Sequence, residues 1–103
     1  MLVIDKASGD KTVTLRVGES FQIRLPENPA TGFRWRLQSD GSPALRLVED
    51  AFQAAASGHG SGGSRNWTFL VDDPTDTVLR FELKRSWQPA AVDSFQIVVN
   101  AHN

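Results

Sequence analysis

A chain of 103 residues with a formal net charge of −1 is long enough for one hydrophobic core and too short for a core plus a separate catalytic lobe. It has no Cys, which excludes a disulfide framework, a thiol nucleophile and a thiolate metal site. Lys and Arg are scattered along the sequence, which argues against a nucleic-acid footprint or a membrane-surface patch, and no apolar run approaches transmembrane length.

The first residues, MLVIDKASGDK, lack the basic start and apolar run of a secretory leader. The expected location is therefore the cytoplasm, or the periplasm or exterior for a mature form whose leader has been left out. After a short apolar LVI, the dominant signal is a period of two. TVTLRV alternates through Val13, Leu15 and Val17, SFQIRL through Phe21, Ile23 and Leu25, and FRWRL through Phe33, Trp35 and Leu37. LRLVEDAFQ follows, then NWTFLV with Trp67, Phe69 and Val71. TVLRFEL continues with Leu79, Phe81 and Leu83, and SFQIVVN with Phe95, Ile97 and Val99. Eight runs of this kind, each with one apolar and one polar face, describe half-buried antiparallel strands and an all-β sandwich. One patch competes: the alanines of EDAFQAAAS suit a helical turn, which Ser57 and Gly58 would end quickly. No repeat, linker or composition break divides the chain, so residues 1–103 are expected to form a single domain.

If each strand runs opposite to its predecessor, the connections separate by parity. The links after the third, fifth and seventh strands emerge at one end: PENPATG, AAASGHGSGGSR and SWQPAAVD, the last entered through Lys84 and Arg85. The links at the other end, GE, QSDGSPA and DDPTD, are ordinary polar turns. One end is unusual and the other plain, the pattern of a rigid scaffold presenting a binding surface.

In NPATGF, Pro29 fixes one backbone angle, Asn28 can close a side-chain turn and Gly32 permits a positive φ, so the small tip residues Ala30 and Thr31 are preorganised; the same stretch also reads simply as a long hairpin turn. GHGSGG has the spacing of a dinucleotide fingerprint, but it precedes a strand where that motif must open a helix. What remains is a nearly side-chain-free stretch that either exchanges main-chain hydrogen bonds with a partner or is a plain flexible link. Trp87, in KRSWQP, is either a lid on the core or an exposed anchor, and Arg85 beside it favours the anchor.

Catalysis finds little support. His59 lies in the Gly-rich loop and His102 at the C-terminus, without the carboxylates of a zinc site or a Ser-His-Asp triad, and no cofactor is implied. Asp72, Asp73 and Asp76 read as a solvated turn, with weak calcium binding as the competing use. Asn66 opens a formal Asn-x-Thr glycosylation sequon.

NPATGF, GSGG and RSW, in that order and at the three same-end connections, make the chain similar to the chagasin-type inhibitors of papain-like cysteine peptidases. The first loop of that family carries Asn-Pro-Thr-Thr-Gly-Tyr/Phe, matched by Asn28, Pro29, Thr31, Gly32 and Phe33, with Ala30 in place of a Thr. The second carries Gly-x-Gly-Gly, matched by Gly60, Gly62 and Gly63 around Ser61. The third carries Arg-Pro-Trp/Phe, matched by Arg85 and Trp87 with Ser86 in place of the Pro. The resemblance implies an immunoglobulin-like fold that inhibits reversibly and stays uncleaved. Its first loop would cover the peptidase cysteine, its second the non-primed side and its third the primed side. It implies no enzymatic activity, and the residues show no seam for an oligomer, so a monomer is expected. The reading from a different class is a non-inhibitory immunoglobulin-like module that binds carbohydrate or a protein partner with the same end.

Overall fold

A computed structural model describes residues 1–55 and 62–103. The strands are β1 (Leu2–Asp5), β2 (Thr12–Arg16), β3 (Ser20–Glu27), β4 (Arg34–Ser39), β5 (Leu45–Ala54), β6 (Gly63–Val71), β7 (Thr75–Lys84) and β8 (Asp93–His102). Short 3-10 turns occupy Lys6–Ser8 and Pro29–Thr31. The strands form two four-stranded sheets, ordered β1-β3-β6-β5 and β2-β8-β7-β4.

Alternation dictates the core. Phe21, Ile23 and Leu25 of β3 and Trp67, Phe69 and Val71 of β6 face inward from one sheet. They meet Leu79 and Phe81 of β7 and Phe95, Ile97 and Val99 of β8 from the other. The Trp67 ring lies 4.7 Å from that of Phe81 across the two layers, within the range of favourable aromatic contact. Burying aromatic and branched side chains of this size contributes about 1.5–3 kcal/mol each, so the period-two pattern is the main determinant of the fold.

The structure corrects the all-antiparallel expectation at two places. β1 pairs with β3 in parallel, and β2 pairs with β8 in parallel. Successive strands still reverse direction, but β1 to β4 alternate between the sheets, so each of these edge pairs joins two strands of the same parity. The competing helical turn in EDAFQAAAS is also set aside as far as Ala54, which closes β5; Ala56 and Ser57 lie outside the described residues. β5 is an edge strand whose register slips between Leu47 and Glu49, leaving Leu47 and Val48 exposed. A bulge of this kind twists an open edge away from intermolecular pairing.

Asn66 lies inside β6 with its residue buried, and its side-chain oxygen accepts a hydrogen bond from Arg24 Nε at 3.3 Å. The folded sequon is therefore a piece of sheet surface and not an accessible acceptor loop.

Because strand directions alternate, the three unusual connections do share one end. Glu27 at the end of β3 and Ala54 at the end of β5 both pair with Gly63 at the start of β6. Arg34 at the start of β4 pairs with Lys84 at the end of β7. We call the connections β3–β4, β5–β6 and β7–β8 loops I, II and III.

Candidate functional site

Loop I is locked by its own residues. Asn28 Oδ1 accepts from Ala30 N at 3.1 Å, closing the side-chain turn expected of Asn. Pro29 opens the 3-10 turn, and Gly32 ends it at φ 81°, a left-handed angle that an L side chain rarely takes. The Thr31 hydroxyl donates to Asn28 O at 2.7 Å and accepts from Phe33 N at 3.3 Å. Pro29, Ala30 and Thr31 are exposed at the tip, so the loop offers small side chains on a fixed backbone.

Loop III is tied to loop I by Arg85. Its Nε donates to Thr31 O at 3.1 Å, and its guanidinium lies 4.2 Å from the centroid of the Phe33 ring and 5.7 Å from that of Trp87. Arg85 is thus a bracket between two loops, with its charge spread over two aromatic faces. Gln88 N donates to Arg85 O at 3.1 Å, closing the turn that presents Trp87. Trp87 is 68% exposed and is therefore not a lid on the core. An indole left in water at the tip of a hydrogen-bonded turn is a large apolar surface available to a partner.

A Cβ on Gly32 would lie 3.0 Å from Trp87 Cη2, so a side chain here would press on the exposed indole as well as strain the positive φ. Gly32→Ala is expected to cost about 1 kcal/mol and to shift the fluorescence of the displaced Trp87. A thermal melt and an emission spectrum of the variant check both effects.

In loop II, Gly60, Ser61 and His59 lie outside the described residues, while Gly62 and Gly63 are placed. Gly62 sits against the Glu27 carbonyl and Asn28, and Ala55 N donates to Gly62 O at 2.9 Å. A Cβ on Gly63 would overlap the Gln53 carbonyl oxygen. These two glycines therefore let the chain approach its own neighbouring strands closely. Gly63→Ala is expected to destabilise the domain by about 1–3 kcal/mol, measurable by denaturant unfolding, because the obstructing atom is backbone and has little room to move.

Reading the sequence by motif missed the pair that joins the roots of loops I and II. Glu27 occupies the next inward position after Phe21, Ile23 and Leu25, and its side chain is fully buried. Its Oε1 accepts from Trp35 N at 2.8 Å, and its Oε2 accepts from Arg65 Nε at 3.1 Å with Arg65 Nη2 also at 3.1 Å. Arg65 Nη1 reaches Asp50 Oδ1 at 3.2 Å, and Trp35 Nε1 donates to Pro26 O at 2.8 Å. The ends of β3, β4, β5 and β6 are stitched together here. Parity carried a signal for it, since Glu27 and Arg65 are opposite charges on inward positions at the same end.

Among the described residues the site is a hydrogen-bonded pair of loops, I and III, with an aromatic tip. Among the described residues no group of three or more His, Asp or Glu gathers to hold a metal ion. Against known proteins, residues 14–99 match the model of the chagasin family peptidase inhibitors I42. This chain belongs to that family. Chagasin of Trypanosoma cruzi is 27% identical over 101 residues, covering 93% of this chain and 92% of that protein. The crystal structure of the cysteine protease inhibitor EhICP2 from Entamoeba histolytica superposes with a TM-score of 0.85 at 17% identity, covering 97% of this chain and 93% of that one. The structure of PbICP-C in complex with falcipain-2 superposes with a TM-score of 0.69 at 13% identity over 100% of both chains. As a member of this family the chain is a peptidase inhibitor, not an enzyme. The strand pattern led to a sandwich of two sheets, and that sandwich superposes on the fold of a cysteine protease inhibitor.

Proposed function

We propose that this protein is a reversible inhibitor of papain-like cysteine peptidases and acts by inserting loops I to III as a wedge into the substrate cleft. Two features support the reading: chagasin is a relative over nearly the whole chain, and a protein of the same fold forms a complex with falcipain-2. The observation that carries the mechanism is the rigid union of loops I and III through Arg85.

In this reading Asn28, Pro29, Ala30, Thr31, Gly32 and Phe33 cover the peptidase cysteine. Gly60, Ser61, Gly62 and Gly63 follow the non-primed side, and Arg85, Ser86 and Trp87 lie on the primed side. Nucleophilic attack needs a carbonyl carbon held in line with the thiolate and a proton route to the imidazole. A hydrogen-bonded 3-10 turn offers the thiolate a closed backbone in place of an extended peptide, so water and substrate are excluded while no bond is presented for cleavage. Ordering a loop costs about 1–2 kcal/mol per residue, and loop I has met that cost before the encounter through Pro29, the Asn28 turn and the Thr31 hydroxyl.

Two results check the placement. Papain mixed with the inhibitor is expected to be protected from alkylation of its cysteine by an active-site epoxide. Thr31→Trp, which enlarges the exposed tip and also removes the hydroxyl that braces the turn, is expected to weaken inhibition at least roughly tenfold, about 1.4 kcal/mol. Unchanged alkylation in a saturated complex would place the contact outside the cleft.

A further inference from the structure

The scatter of Arg and Lys along the sequence conceals a cationic patch that forms only when β4 and β7 pair. Arg34 and Arg36 are exposed on β4, and Arg34 stands directly opposite Lys84, while Arg36 stands opposite Glu82. Like charges facing one another across a sheet are destabilising, so the Arg34–Lys84 pairing runs against the local rules of stability. Among the described residues the ion pairs are Lys6–Asp93, Arg46–Asp72, Arg65–Glu27 and Arg65–Asp50, and none of them neutralises Arg34, Arg36 or Lys84. The two arginines line a groove with Pro29, Gly32, Ser86 and Trp87. The patch is therefore continuous with the tips of loops I and III. The plain end instead carries Asp73 and Asp76 beside the Arg46–Asp72 ion pair.

We propose that Arg34 and Arg36 are specificity determinants that select peptidases bearing carboxylates on the cleft rim beside Trp87. The inference rests on the wedge reading above. Unpaired guanidinium groups at the border of an interface act mainly on the encounter: they steer an acidic rim inward, repel a basic one and suit bidentate contact with carboxylate. The cost of the Arg34–Lys84 repulsion in the free protein is offset when an acidic partner arrives.

The test uses the whole protein against two papain-like peptidases of known structure, one with an acidic and one with a basic rim on that side. Arg34→Ser/Arg36→Ser is expected to slow association with the acidic-rim peptidase about tenfold at low salt, with dissociation little changed. The difference should vanish between roughly 20 and 500 mM salt, and Arg34→Lys/Arg36→Lys should retain most of the wild-type rate. The Ser variant should melt close to the wild-type temperature, since it removes the Arg34–Lys84 repulsion and the Arg36–Glu82 attraction together. Equal association rates for the wild-type and Ser proteins with the acidic-rim peptidase, in an assay where both inhibit, would overturn the inference and leave the wedge reading standing. If the folded wild-type protein inhibited neither peptidase, the wedge reading would fall and the inference with it.

Discussion

Trp87→Ala is expected to weaken inhibition of papain by roughly 30-fold or more, about 2 kcal/mol, while the melting temperature stays within about 3 °C of wild type. The two halves of this expectation come from the same observation. Trp87 is 68% exposed and lies outside the buried apolar core, so its removal takes little from folding. Its indole is the largest apolar group that the three loops offer, so its burial against a peptidase should dominate the contact on that side. Loop I does not depend on it, because Arg85 still donates to Thr31 O and stacks on Phe33. Inhibition constants and thermal melts of the same preparation check both halves together. A collapse of the melting temperature would mean that Trp87 is part of the core, and the anchor reading would fail.

Glu27→Ala should do the opposite and damage both properties. Removing the carboxylate leaves Arg65 with the half-exposed Asp50 and the Phe52 ring, and leaves Trp35 N without its 2.8 Å acceptor. Breaking a buried pair by deleting one partner costs about 3–5 kcal/mol. Arg65 keeps 20% of its side chain in water and retains Asp50 and the Phe52 ring, so the lower figure applies. About 3 kcal/mol corresponds to a fall of roughly 10–20 °C in a domain of this size. Inhibition should weaken as well, because Glu27 immediately precedes the Asn28 turn and its carbonyl abuts Gly62. Glu27→Gln should retain the Trp35 contact and lose less. If Glu27→Ala melted like wild type, the strut would have no structural role.

Much of this was legible in the residues because period two encodes both the face and the direction of a strand. Phe21, Ile23 and Leu25, and likewise Leu79 and Phe81, are buried where alternation puts them. The parity of connections brought NPATGF and RSW to one end, and the Arg85–Thr31 hydrogen bond joins them there. Parallel pairing of β1 with β3 and of β2 with β8 was not legible, since alternation states which way a side chain points but not which neighbour a strand chooses. Glu27 was passed over because its residue type reads as surface, although its position counts as inward. Arg34 and Lys84 lie far apart in sequence, and only the β4–β7 register makes them neighbours. The role of Arg85 was legible as a neighbour of Trp87 but not as the bracket to Phe33, which depends on the turn that loop III takes.

The central claim is that the loop end occupies a cysteine peptidase cleft without being cut. It is tested most directly by titrating active papain with the protein while following hydrolysis of a fluorogenic peptide, then recovering the inhibitor and measuring its mass. The account predicts stoichiometric loss of activity, recovery on dissociation and an inhibitor of unchanged mass. A demonstrably folded protein that leaves papain and several related peptidases fully active would contradict it and make the aromatic-tipped end a binding surface for another class of partner.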